Sequence, residues 1–157
     1  MKIKVICIGK TGKKFLEEGE LEYLSRLKHY VHIERIEIPD IKNQKNRSQE
    51  EIKKLEGEKI KEYLTENDLT YLLDDKGKQF TSVEFSDFFQ RQLNQSVQRL
   101  NFIIGGAFGF SKEIYGLSSG KISLSTLTFS HQMVRMIFFE QVYRAMTILK
   151  GEKYHHE

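Results

Sequence analysis

One cysteine, Cys7, and one proline, Pro39, are all that this 157-residue chain has of either residue. A single thiol excludes an intramolecular disulfide and any zinc set built on cysteines. No stretch approaches the ~20 consecutive apolar residues of a membrane span. Surplus charge is also scarce: 25 basic residues against 22 acidic ones leave +3, with an isoelectric point near 8.8. A chain that coats a polyanion along a wide basic face is usually more lopsided. If RNA is the partner, it is expected to be gripped at a local patch and by the combined charge of two subunits. The opening Met1–Gly9 alternates like a strand and lacks the small-residue cleavage pattern of a signal peptide, so the cytoplasm is the expected compartment. Five histidines, at 29, 32, 131, 155 and 156, sit in no ligand spacing, so no metal is expected.

What is present suits a globular protein: 39% of residues are apolar and 30% charged. The length is that of one ordinary domain, spanning 1–157. Residues 2–9 read as a first strand, and 13–28 carry Phe15, Leu16, Tyr23, Leu24 and Leu27 at helical spacing. Strict alternation over 32–38 predicts a second strand, ended by Pro39. A polar loop over 40–47 leads to Ser48-Gln49-Glu50-Glu51, a capping box that opens a charged helix to about Leu64. Residues 69–73 predict a short strand and 74–78 a turn. Thr81-Ser82-Val83-Glu84 is a second capping box, opening a helix to about Asn94. Residues 100–104 form a strand that empties into Gly105-Gly106, and a short helical piece starts at Ser111. Residues 121–127 read as the last strand and 130–149 as the last helix. Strands alternating with helices predict an α/β layer fold with a mostly parallel sheet flanked by helices.

Two tempting motifs fail. Gly9-Lys10-Thr11 follows a strand like a Walker loop, but the position where that loop needs its first glycine is Lys4. Gly105-Gly106-Ala107-Phe108-Gly109 cannot be aligned to the dinucleotide fingerprint. Three features remain, at the C-terminal ends of strands, where open α/β sheets bind ligands. They are Leu72-Leu73-Asp74, the run Phe102–Phe110 with its glycine turn, and Ile122–Gln132. A glycine turn lets the backbone approach a flat ligand, and backbone amides can then read an adenine edge. It equally serves as a mere tight turn.

The Ile-Gly-Gly-x-x-Gly-Phe turn at 104–110, the Leu-Ser-x-Leu-Thr-Phe-x-His-Gln-Met-x-Arg block at 124–135 and the Glu-Gln-x-Tyr-Arg-Ala helix at 140–145 occur together with a terminal Tyr154-His155. With the opening Lys-Ile-x-Val-Ile-x-Ile-Gly-Lys and Glu37-Ile38-Pro39-Asp40, they make the whole chain resemble the ribosomal RNA large subunit methyltransferase H family. The resemblance implies a SPOUT-type α/β knot, with a C-terminal trefoil knot that forms the pocket for S-adenosyl-L-methionine. It implies a homodimer that methylates N3 of a pseudouridine in 23S ribosomal RNA. Matched by motif, the cofactor pocket would use Leu73, Gly105, Ser123, Leu124, Ser125, Thr126, Leu127 and Thr128. The block commonly reads Phe-Pro-His, whereas this chain has Phe129-Ser130-His131; serine is an acceptable helix cap. Two other functions stay open at this stage: a SPOUT methyltransferase acting on transfer RNA, and a non-catalytic assembly factor that binds the ribosome.

The chemistry asks mainly for positioning, and for a base or a cation to handle the imide proton. Arg135 lies four residues after His131 in an otherwise apolar stretch, so it needs a partner. It would contact RNA phosphate or the substrate base, or serve as an ion pair across a dimer interface. Glu140 and Arg144 read as a structural i,i+4 pair. By composition the tail 151–157 is a fraying end. The resemblance instead places Tyr154 and His155 near the cofactor, one to stack on a base and the other to act as acid or base.

Overall fold

The computed structural model describes residues 1–156. The apolar alternation of the strands is what divides the molecule into layers. Ile3, Val5 and Cys7 of β1 (Lys2–Ile8) face one side of the sheet, and Ile6 and Ile8 face the other. Leu100, Phe102 and Ile104 of β4 (Arg99–Ile104) join the first set, and Ile103 joins the second. Five parallel strands run in the order β2-β1-β4-β3-β5, with β2 at His32–Ile38, β3 at Leu69–Lys78 and β5 at Gly120–Ile122. The larger core lies under α1 (Lys14–Leu27), α3 (Ser82–Asn94) and α5 (Met133–Leu149), where Phe85, Phe88, Phe89, Phe102, Phe138 and Phe139 interlock. The smaller core lies under α2 (Gln49–Lys61) and α4 (Lys112–Leu117), around Ile38, Ile60, Phe110 and Ile114. The α/β reading with a parallel sheet flanked by helices therefore holds. Both capping boxes form: Ser48 with Glu51, and Thr81 with Glu84.

Two segments depart from the sequence reading. The predicted turn at 74–78 is the bulged end of β3, in which Leu73 and Lys78 both pair with Ile122 and the Ser123 amide donates to the Lys78 carbonyl at 2.9 Å. Gly77 permits this, since a Cβ there would stand 2.5 Å from the Ile122 carbonyl carbon. The predicted last strand ends at Ile122, and past the Ser123 bond to Lys78 residues 124–130 form a loop. The final helix begins at Met133, preceded by a turn in which the Ser130 hydroxyl accepts the Met133 amide at 3.1 Å. The Ser130 hydroxyl thus braces the turn before α5, a bond proline could not make, while Gln132 at the N-cap makes no side-chain cap bond.

Two polar clusters lock the ends of the sheet. At its N-terminal edge the buried Asp68 carboxylate accepts from Thr65 Oγ1 (2.7 Å), Asn101 Nδ2 (2.9 Å) and Arg99 Nε (2.5 Å). Burial pushes this acid up, but those hydrogen bonds outweigh it and bring it to about 2. At the C-terminal edge the fully buried Arg135 of α5 donates to the carbonyls of Ile8 (2.5 Å) and Gly9 (3.0 Å), and to Thr11 Oγ1 (3.2 Å). Thr11 in turn donates to the buried Glu20, which also takes Arg35 Nη1 at 2.6 Å.

Asp68→Asn is expected to destabilise the protein by ~2 kcal/mol at pH 7. Because the native acid is depressed, that contribution is present above its ordinary 3.8 and lost as pH falls towards about 2. Urea melts from pH 7 to pH 2 should converge for wild type and variant. Arg135→Met should cost roughly 3 kcal/mol in the same assay, because two buried carbonyls lose their donor. Arg135→Lys should recover only part of it, lacking the planar fork.

Candidate active site

The strand ends on the β4-β3-β5 half of the sheet open into a cleft of about 580 Å³, within the range that holds a nucleoside-sized ligand. Its walls are apolar at Leu73, Ile104, Ile122, Leu124, Leu127 and Val134. Its floor is the Gly105–Phe110 turn, and one rim is Ser123, Ser125 and Thr128. Sequence reasoning named Leu73, Gly105, Ser123, Leu124, Ser125, Thr126, Leu127 and Thr128; the structure brings all of them to the cleft lining except Thr126. The 123–128 loop is held by its own hydroxyls: Ser123 Oγ donates to the Ser125 carbonyl and Ser125 Oγ accepts the Leu127 amide, both at 2.9 Å. Leu127 itself is 73% exposed.

Gly105 and Gly106 have no free room for a Cβ. A Cβ on Gly105 would press on the Phe110 ring at 3.0 Å, and one on Gly106 would meet the Glu56 carboxylate at 2.6 Å. A side chain at Gly105 would thus displace Phe110, itself part of the cleft lining. Asp74 and Phe108, which lie in two of the candidate features named from sequence, also line the cleft, as do Asp75, Lys76 and Tyr115, which were not singled out. Tyr115 Oη donates to Asp74 Oδ2 at 2.5 Å, and the Lys76 amide donates to Asp74 Oδ1 at 2.9 Å. Against the cost of burial, these bonds hold the Asp74 carboxyl below the usual range. No sequence signal joins Tyr115 to Asp74; only the β3–β5 pairing and α4 bring them together.

Arg135 corrects the expectation that it reaches RNA. Its guanidinium is fully buried, spent on the Ile8 and Gly9 carbonyls, Thr11 Oγ1 and an ion pair with Glu37 at 3.9 Å, and is absent from the cleft lining. Its Nε donates to the carbonyl of His131, the exposed histidine at the cleft mouth, at 3.1 Å. Arg135 therefore positions the start of α5. Residues 151–156 of the tail fold back on α5 and are absent from the cleft lining of their own chain, while Glu157 lies outside the described residues. Gly151 closes α5 in a left-handed conformation, and the chain turns back. Tyr154 Oη donates to Glu140 Oε1 at 3.1 Å, its ring meets Tyr143 edge-on at 4.8 Å, and Arg144 sits 4.8 Å over it. Arg144 also pairs with Glu140, and its Nη1 lies 3.4 Å from His155 Nδ1. This cluster stands about two turns up α5 from Met133, ~10 Å along the axis.

Cys7 offers no chemistry: burial pushes its thiol up to about 12. Among the described residues no group of three or more His, Cys, Asp or Glu is arranged to hold a metal ion. Glu56, against the glycine turn, is perturbed in the opposite direction to Asp74. Burial first, and then Asp40, push it up to about 7 from its ordinary 4.5. The folded state therefore holds this proton more tightly than the unfolded one, and stability falls as pH rises from 4.5 to about 7. Glu56→Gln should remove that loss, leaving the variant ~2 kcal/mol more stable than wild type at pH 8 and equal to it near pH 4. Thermal melts across that range check the sign.

Comparison with known proteins agrees with this architecture. Residues 1–155 match the family model described as predicted SPOUT methyltransferase. The chain is 52% identical to a protein of Parabacteroides distasonis over the full length of both. It is 51% identical to one of Christiangramia forsetii, over 99% of each chain, and 50% identical to one of Flavobacterium johnsoniae over all of both. All three relatives are named ribosomal RNA large subunit methyltransferase H. A glycine-floored cleft at the sheet's C-terminal edge and a match from end to end lead to one conclusion: the chain belongs to the SPOUT methyltransferase family.

Proposed function

We propose that this protein methylates N3 of a pseudouridine in 23S ribosomal RNA, using S-adenosyl-L-methionine, as a cytoplasmic homodimer. The observation that carries this reading is the cleft: the segments expected to hold the cofactor, distant in sequence, converge on one cavity of suitable size. The donor set fits a nucleoside with an amino-acid tail. Backbone of the 105–109 turn and the 123–128 loop can read an adenine edge, apolar walls can take its faces, and Asp74 or Asp75 can meet an ammonium group. When bound, the cofactor supplies an electrophilic methyl group. The chain's own part is to bind and orient, and rigid placement of reactants is worth roughly 7–11 kcal/mol. The hydroxyl-braced loop and the Arg135 clamp provide that rigidity. We also propose that the 123–130 loop and α5 form the family's C-terminal knot.

Support for the homodimer comes from α5. Met133, Ile137, Glu140, Gln141, Arg144 and Ile148 form a half-buried stripe along it, with Tyr154 and His155 folded beside its middle. A tail that is absent from the lining of its own cleft can serve catalysis by reaching the cleft of a second copy. In this reading Tyr154 stacks on the target base and His155 handles the imide proton.

The test is methylation of purified ribosomes and of purified transfer RNA, with calorimetric titration of S-adenosylmethionine alongside. The expected result is micromolar cofactor binding or tighter, with methyl transfer confined to ribosomal RNA. Transfer to transfer RNA alone would replace the substrate, and absence of cofactor binding would leave only a ribosome-binding protein. Truncation after Lys153 should lower the single-turnover rate on the order of a hundredfold, with a melting temperature lowered by only a few degrees.

A further inference from the structure

The half of the sheet edge beside the cleft carries a second feature. β1 and β2 are parallel neighbours in register from Lys2–His32 to Ile8–Ile38, so their following loops leave side by side. The Gly9 amide donates to the Ile38 carbonyl at 2.7 Å, and the Thr11 amide to Glu37 Oε1 at 3.2 Å. The first loop carries Lys10 and Lys13, and the second carries Lys42, Lys45 and Arg47. All five are exposed, and none forms a salt bridge among the described residues. The two loops hold a single acid, Asp40. The local excess of positive charge is therefore larger than the +3 of the whole chain. Among the neighbouring acids, Glu50 pairs with Lys53 and Glu18 takes Lys14, while Glu51 caps Ser48 and also feels the Arg47 charge.

This rim is tied to the cleft. The Gly12 amide donates to Gln132 Oε1 at 2.9 Å, next to the cleft-lining His131. The second loop is shaped rather than slack, with Asn43 in a left-handed conformation and a single 3-10 turn at Gln44–Asn46. A nucleotide placed in the cleft would carry its flanking phosphates along the same sheet edge.

We propose that Lys10, Lys13, Lys42, Lys45 and Arg47 form a two-loop rim that grips the RNA phosphate backbone beside the methylation cleft. The proposal rests on the ribosomal RNA reading above and adds where that RNA is held. The rim binds charge without reading bases, so it supplies affinity and register while the cleft selects the base.

The test uses three full-length double variants of equal charge change: Lys42→Gln/Lys45→Gln and Lys10→Gln/Lys13→Gln on the rim, and Lys28→Gln/Lys150→Gln at the opposite sheet edge as control. Anisotropy with a labelled 23S RNA fragment is followed across a salt series. Each rim variant should bind about tenfold more weakly, with a log–log salt slope shallower by roughly 1.5. The control should keep wild-type affinity and slope. Melting temperature and cofactor affinity should be unchanged throughout, and Lys→Arg at the rim positions should restore binding. In turnover the rim variants should raise KM for RNA and leave kcat in place. Rim variants indistinguishable from the control overturn the proposal even if the wild type methylates ribosomal RNA. If only one loop shows the effect, the two-loop rim is wrong. A wild type that binds polyglutamate as tightly as the RNA would make the rim a general polyanion surface, overturning the assignment. A wild type that binds the RNA through the rim but does not methylate it would sink the enzymatic reading and leave the rim standing.

Discussion

The buried guanidinium of Arg135 is the constraint on which the site geometry depends. One planar fork joins the last two carbonyls at the end of β1 to the first turn of α5, and reaches the α1 side of the molecule through Thr11 and Glu20. A buried cation is costly unless every donor is used, so the structure around it has little freedom. The start of α5 is pinned there, and with it His131, Gln132 and the end of the 123–130 loop. A cleft built from loops gains its rigidity from this ion.

A second constraint is the packing around the glycine turn. Phe110 fills the space where Gly105 would carry a Cβ, and Glu56 fills the space beside Gly106. Both positions therefore stay bare backbone in the cleft lining. The division of labour across the sheet edge follows: one half offers backbone and apolar walls suited to a flat uncharged group, and the other offers unpaired cations. A protein of almost balanced charge can handle a polyanion this way, by local concentration rather than net surplus.

The elements with strong local signals were legible without coordinates. Both capping boxes, the alternation of β1 and β2 and the buried run of β4 appear where their patterns put them, because those signals are set by neighbours in sequence. Legibility failed at 74–78 and 121–130. The first looks like a turn but pairs as a bulged strand, since Gly77 lets it lie on the Ile122 backbone. The second alternates like a strand, yet its hydroxyls close on their own loop and leave no edge to extend.

Composition and pattern alone determined the α/β class and the mostly parallel sheet, and left the glycine turn open between a ligand floor and a tight turn; the segments expected around the cofactor came from the family resemblance. The class and the sheet need only hydrophobic period and capping chemistry, both properties of short stretches. Arg135's burial, the Tyr115–Asp74 bond, the tail folded on α5 and the meeting of two basic loops were decided by tertiary structure. Each joins residues that no spacing rule connects, and each depends on which strand lies beside which. Charge in an apolar helix shows that a partner is required, but only the packed fold selects backbone carbonyls over a phosphate.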